Sequence, residues 1–562
     1  MRAANDNFED GTPDEYYVKD ATLILFTGAE GETEKDARFH SAYTLNAADW
    51  NDNGATTDNI TTTAKIVQKI NQVSSAKIYA LVVLNHNGVF TVKQDNTLEV
   101  GEGLSPFTPG VSTLSDLNIL VSQTVSETVW KGQSFLMSNS PLYTKAGGSQ
   151  KPETGGELKV LSLIDASQIR DTEEEAREAV AANIYVERAQ AKVTLSGEDG
   201  SLTGGPVEEG DKHLSYQFAG WVLDNTNTKS FLVRDYSTEW NSLGTNKANG
   251  VSNLYRFVGS AAVSNDLYRT YWGKDVNYAE DASGLKAVAD KNGNINTSET
   301  LLPADGETPA YCFENTADVE RMTEKNNTRA VIKVILNEGK DFYVVNGNKD
   351  VVYLGGENIN GNNGINTRIK EAFMDYPGIK NWFNANLKDD QTLDPATDLV
   401  VTFNDPKGEQ GGMIQNITVD VSEAGGQKLK EGKSLTDEQK KCLQDANFSV
   451  DLYEGGVSYY TVHIAHFGDD LTPWNDGETP SPSVTGTSAA GIYPKENRDA
   501  NYLGRWGVLR NNWYDLKVTS IQNIGSSTVP PVTGEEIDKM EKYISVEINI
   551  LAWAKRQQDV QL

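Results

Sequence analysis

At 562 residues the chain is too long for one hydrophobic core, so at least two domains are expected. Its net charge of -30 comes without any basic cluster, which argues against a nucleic-acid partner and for solubility in an exposed setting. The 49 glycines, the many Asn and Asp residues and an ample supply of aromatics fit a β-rich protein with long loops.

Residues 3–20 are polar and acidic. The chain opens on Met1-Arg2-Ala3-Ala4 with no signal peptide, as if a targeting segment had been removed ahead of it. Residues 21–26 (ATLILF) form the first expected strand. Residues 61–73 read as a helix, with Ile66, Ile70 and Val73 at helical spacing. This helix feeds a strand over 77–84, whose ALVVL run is too short to cross a membrane. A capping box at Thr172 opens a short helix through Ala182, and residues 183–196 follow as one long strand. Residues 218–233 resemble a hairpin turning near Asn225.

Beyond Arg234 the chain becomes loop-heavy as far as Thr308, which places the domain junction there: one domain over 3–234 and a second over 235–562. Strands return at 330–336, 341–345, 351–354, 399–403, 457–466 and 513–521. Helices interrupt them at 365–386, with a break at Pro377, and at 436–446. The fold class is mainly β, in antiparallel sandwiches with long loops and a few short helices.

No catalytic constellation assembles, so no enzyme is expected. His463 and His466 would point to opposite faces of a strand and could not chelate one ion. Asp290-Lys-Asn-Gly-Asn294 opens like a calcium loop but has Ile295 where the glycine of the sharp turn is needed, so an ordinary Asn/Gly turn is favoured. No cofactor is expected, although the acidic loops leave room for structural calcium. Cys312 and Cys442 permit at most one disulfide; Cys442 lies seven residues after Leu435 on an expected helix face, where a buried free thiol is the default.

The last stretch, 543–562 (YISVEINILAWAKRQQDVQL), alternates strictly. Ile544, Val546, Ile548 and Ile550 share one face of an extended segment, with Ser545, Glu547 and Asn549 on the other. The phase slips at Leu551, and Trp553, Val560 and Leu562 carry apolar side chains to the end. Chain ends fray unless something ties them down, so this one must bury its apolar face in its own chain or in another copy.

Several ordered blocks together resemble the fimbrillins of Bacteroidetes-type (type V) pili, specifically the minor-fimbrillin, Mfa-like branch. They are DGTPDEYYVKDATLILF, SFLMSN, YVERAQAKVTLS, YCFENT with RAVIKVIL, YLGRWGVLRNNWYDLKVTSI, and the tail. The resemblance implies two tandem transthyretin-like β-sandwich domains in a major shaft subunit. It also implies an exported lipoprotein precursor that ends as an extracellular fimbrium attached to the outer membrane. An arginine-specific protease would cleave between Arg2 and Ala3, with Arg38 and Arg170 as alternatives, and so remove a first strand and open an apolar groove. The C-terminal strand of a neighbouring copy would fill that groove. Its anchors would be Ile544, Val546, Ile548, Ile550, Leu551, Trp553, Val560 and Leu562. The phase slip at Leu551 makes 551–562 the part expected to reach the neighbour. Burying four aliphatic side chains this way is worth about 6–12 kcal/mol before ordering costs. Expected partners are other copies, accessory anchor and tip pilins, the protease, and host or bacterial surface receptors. The competing expectation is a surface glycan-binding lipoprotein.

Overall fold

The computed structural model describes residues 9–51, 61–73, 75, 77–101, 105–124, 134–144, 158–202, 214–235, 256–257, 267–269, 272–278, 284–346, 351–354, 363–403, 413–414, 417–446, 448–466, 503–535, 537 and 554–561. The chain is mainly β, with antiparallel pairing predominant and short helices between the sheets.

The first core forms around the sheet Val186–Arg188, Met137–Asn139, Lys77–Leu84, Ala21–Gly28, Arg38–Leu45, in that spatial order and antiparallel throughout. On one face Ile24, Phe26, Phe39, Leu81 and Val83 pack under the helix Leu114–Thr124 and the small sheet containing Phe107. Leu25, Tyr43 and Ala80 are buried on the opposite face. Burial on both sides explains why ATLILF and ALVVL are unbroken apolar runs rather than alternating ones.

Residues 61–73 do not form the expected helix. They lie as an irregular segment whose Ile66 and Ile70 pack on that second face. Seven of its thirteen residues are β-branched (Thr61, Thr62, Thr63, Ile66, Val67, Ile70 and Val73), which lowers helix propensity and lets a flat apolar sheet decide the conformation.

The expected single strand over 183–196 is two strands, Val186–Arg188 and Gln190–Gly197, in different sheets. The chain passes from the first core to the second between Ala189 and Ala191. The expected junction at 234/235 therefore falls inside the second core's span of sequence. Leu232, Val233 and Phe313 return to the first core, so the two units are interlaced rather than beads on a string. The expected hairpin near Asn225 also differs. Asn225 does turn the chain at φ 59, but the strand Ser215–Asp224 pairs with Arg329–Leu336 instead of folding back on 226–233.

The second core is a sandwich of two sheets. One runs Gly200–Ser201, Ser215–Asp224, Arg329–Leu336, Val457–His463. The other runs Ala310–Phe313, Gln190–Gly197, Asn512–Ser520, Ala554–Gln561. Alternate residues Ala191, Val193 and Leu195, and Tyr514, Leu516 and Val518, fill the space between them with Trp221, Ile332 and Val462.

A third core, not foreseen, is built by the stretch of sequence that connects the paired strands Arg329–Leu336 and Val457–His463. Helices Asn363–Asp375 and Pro377–Asn386, which meet at the expected break, pack Ile365, Ile369, Phe373 and Phe383 onto Val345, Val419 and Val450. Cys442 and Leu435 are buried together there; neither Cys442 nor Cys312, which is buried in the second core, is in a disulfide.

Candidate functional site

Among the described residues the C-terminal strand Ala554–Gln561 is the outermost member of its sheet, and it runs parallel to Asn512–Ser520, from Asn512 opposite Ala554 to Ser520 opposite Gln561. Parallel neighbours need a long connection, which residues 521–553 provide. Of the tail anchors proposed from sequence, Val560 alone falls in the described strand, its Cα opposite that of Val518. Ile544, Val546, Ile548, Ile550, Leu551, Trp553 and Leu562 lie outside the described residues, as do Arg2 and Ala3. The part expected to reach a neighbour, 551–562, thus has its described portion, 554–561, on its own chain's sheet.

The receiving strand is built by alternation. Tyr514, Leu516 and Val518 point into the sandwich. Toward the outer face Trp513 and Asp515 meet the neighbouring strand: Thr194 Oγ1 donates to Asp515 Oδ1 at 2.8 Å and accepts from Trp513 Nε1 at 2.8 Å. Lys192 Nζ sits 4.3 Å from the centre of the Trp513 ring.

The start of the chain closes over the same face. Glu15, in the short helix Pro13–Tyr16, is 1% exposed. Its carboxylate lies 2.8 Å from Lys192 Nζ and accepts from the Tyr311 hydroxyl at 2.5 Å. Burial pushes the Glu15 carboxyl up, but Lys192 and Tyr311 outweigh it and hold the group below its ordinary value. Burial first, and then the same contact with Glu15, pushes the Tyr311 phenol up. Arg188 Nε donates to the Glu15 carbonyl at 2.6 Å, and Arg188 reaches Asn511 Oδ1 at 3.3 Å. Both chain ends therefore meet one sheet. The sequence marked the N-terminal block but gave no sign that Glu15 would be buried, because its partners are nearly 180 and 300 positions away.

The path from the receiving strand toward the tail is fastened at many points. Tyr460 and Tyr453 hydroxyls donate to the carbonyls of Asn523 and Gly525 at 2.8 and 2.7 Å. Ser526 and Tyr459 exchange backbone bonds at 2.9 and 2.8 Å. Arg329, paired with Asp224 at 2.8 Å, donates to the Pro530 carbonyl at 2.5 Å. Thr533 donates to Glu324 Oε2 from both its amide, at 2.8 Å, and its hydroxyl, at 2.5 Å.

The residues weighed as metal or calcium ligands have other partners. His463 Nε2 lies 3.5 Å from Glu324, whereas His466 Nδ1 is hydrogen-bonded to the Tyr514 hydroxyl at 2.7 Å. Asp290 Oδ1 accepts the amides of Asn292 and Asn294 at 2.8 and 2.9 Å, the ordinary turn. Among the described residues no group of three or more His, Cys, Asp or Glu side chains is placed to hold a metal ion. Asp275 is buried under Thr316 and Asn227, and burial pushes its carboxyl up to about 7. No helix among the described residues is long and apolar enough to cross a membrane.

Residues 492–559, which include the receiving strand and most of the last one, match the family described as major fimbrial subunit protein type IV, fimbrillin, C-terminal. No curated protein matches the chain. Among solved structures, the chain is similar to a candidate cell adhesion protein of Parabacteroides distasonis at 11% identity and a TM-score of 0.27, covering 63% of this chain and 74% of that one. A second such protein of the same organism gives 11% and 0.24, covering 62% and 79%. One from Bacteroides eggerthii gives 14% and 0.20, covering 56% and 68%. These scores are too low for the likeness to carry an argument.

Proposed function

We propose that this fimbrillin-type chain is a structural subunit of a fimbrial shaft, joined head to tail by exchange of its C-terminal strand. The observation that carries the reading is the position of Ala554–Gln561. Among the described residues it is an outermost strand with one neighbour, at the end of the segment that matches the fimbrillin C-terminus. An edge strand is held by one ladder of main-chain bonds, and another sheet edge can offer an equivalent ladder. Exchange between identical copies is therefore close to balanced, and the apolar side chains that each edge can bury decide the direction.

In this reading the apolar row Ile544, Val546, Ile548 and Ile550, followed by Leu551, Trp553, Val560 and Leu562, supplies the side chains that a neighbour buries. Cleavage between Arg2 and Ala3 opens the acceptor groove in the N-terminal unit. A head-to-tail contact of this kind does not close on itself and yields a filament. Export as a lipoprotein, attachment at the outer membrane, accessory anchor and tip pilins, and surface receptors belong to the same proposal. It assigns no enzymatic role and no cofactor.

The test is polymerisation after treatment with an arginine-specific protease, followed by electron microscopy. Full-length protein is expected to form fibres, and a chain ending at Lys542 none. Fibres from the shortened chain would refute strand exchange. A monomer that binds soluble glycans and never polymerises would favour the surface glycan-binding alternative.

A further inference from the structure

We propose that Glu324 anchors the base of the C-terminal arm, so that the part received by a neighbouring copy begins beyond Ile537. This rests on the fimbrial reading above and adds to it a fixed origin for the donated strand.

Glu324 is 2% exposed and sits in the turn Glu324–Asn326 of the second unit. It grips the outgoing chain from three sides. Its carboxylate takes both the amide and the hydroxyl of Thr533. Its own amide donates to the Glu535 carbonyl at 3.0 Å, and the next amide, Lys325, donates to the Thr533 carbonyl at 3.0 Å. The Ile537 amide donates to the Met322 carbonyl at 3.2 Å, and Ile537 is 6% exposed. His463, also buried, backs the carboxylate from behind at 3.5 Å. A buried carboxylate that satisfies a segment so close to the end of the chain is costly unless the segment stays in place. The run up to Ile537 is therefore fixed scaffold.

The consequence for assembly is one of reach. An arm rooted at Ile537 consists of residues 538–562, whereas one rooted at the end of the receiving strand would consist of 521–562. Shortening and fixing the root raises the local concentration of the strand at a neighbour's groove and directs it. In this reading Glu324 acts through the arm, so it is a positioning residue.

The experiment compares full-length wild type, Glu324→Ala, Glu324→Gln and Thr533→Val after arginine-specific cleavage. Three readouts are taken: amide hydrogen exchange at Thr533, fibre elongation rate, and binding of a synthetic peptide Tyr543–Leu562, which reports the acceptor groove alone. In wild type the Thr533 amide is expected to be protected. In E324A protection is lost and elongation falls about tenfold, while peptide binding is unchanged. E324Q, which keeps an acceptor for Thr533, recovers most of the rate; T533V, the mildest change to the fold, lies between. Unchanged elongation in E324A and T533V, or a peptide affinity that falls in step with elongation, would overturn the anchor. If wild type shows the protection but neither binds peptide nor forms fibres, the fimbrial reading fails and the assembly role of Glu324 with it.

Discussion

Glu324 and His463 illustrate how single buried groups tie the fold to pH. Burial alone would push the Glu324 carboxyl up, but nearby His463 and the hydrogen bonds from Thr533 pull it down to about 2. Burial lowers His463 below its ordinary value. For Glu324 the folded state holds the proton more weakly than the unfolded chain, so its stabilisation is complete above the ordinary carboxylate value of 4.5 and drains away as pH falls toward 2. For His463 the unfolded chain takes up a proton first, near 6.5, so stability begins to fall below that pH. The two effects have the same sign. Thermal unfolding of wild type is expected to move to lower temperature from pH 7 to pH 4, with the fall starting near 6.5. His463→Gln is expected to flatten the upper part of that curve, as calorimetry across the range would show. A profile unchanged by the substitution would remove His463 from the account.

Between elements, the turn Glu454–Gly456 carries the chain from the strand Ser449–Tyr453 of the third core into the strand Val457–His463 of the second. Gly455 and Gly456 both have positive φ, and a Cβ on Gly456 would lie 2.0 Å from the Leu336 carbonyl oxygen. Gly456→Ala must therefore move backbone as well as adopt a disfavoured conformation. It is expected to destabilise the protein by about 2–4 kcal/mol in denaturant titration, whereas Gly534→Ala, with open space around it, should be near neutral. Most elements of this kind were legible in the sequence, because their signals are local. The strands 77–84, 351–354 and 399–403, the break at Pro377 and the cap at Thr172 all lie where a short apolar run, a proline or a capping residue placed them. The failures share a cause. In the stretch 183–196 the apolar phase slips at Glu187-Arg188, from Ile184 and Val186 to Ala189, Ala191, Val193 and Leu195, but such a slip does not report that the two halves enter different sheets. Residues 61–73 have helical spacing, but a sheet face buried on both sides recruited them as cover. At the candidate site the alternation of the receiving strand was readable, whereas the grip of Glu324 on Thr533 spans 209 positions and leaves no local trace.

At the scale of the whole molecule, the seam between the first two cores is held by buried arginines rather than by a flexible linker. Arg510, wholly buried, pairs with Glu314 at 2.5 Å and also donates to the carbonyls of Phe231 and Leu232 and to the Ser230 hydroxyl. Phe231 and Leu232 belong to the segment that returns to the first core, whereas Arg510 directly precedes the receiving strand of the second. Arg234 pairs likewise with Glu187, at 2.5 Å, across the turn back toward the first sheet. A guanidinium suits this task because its planar fork satisfies a carboxylate and several carbonyls at once. If the proposed strand exchange holds, such a joint would pass a pull on the C-terminal strand to the unit proposed to accept the next copy. Replacing Arg510 with Met keeps much of the volume but strands Glu314 in the interior, a change expected to cost about 3–5 kcal/mol. The more telling expectation concerns cooperativity. Wild type should unfold with the two cores together, whereas R510M should split into two resolved calorimetric transitions as the cores uncouple. Arg329→Met removes an equally buried pair that lies within the second unit. It should lower stability without splitting the transition, so a split in both variants, or in neither, would show that the seam is held by something other than Arg510.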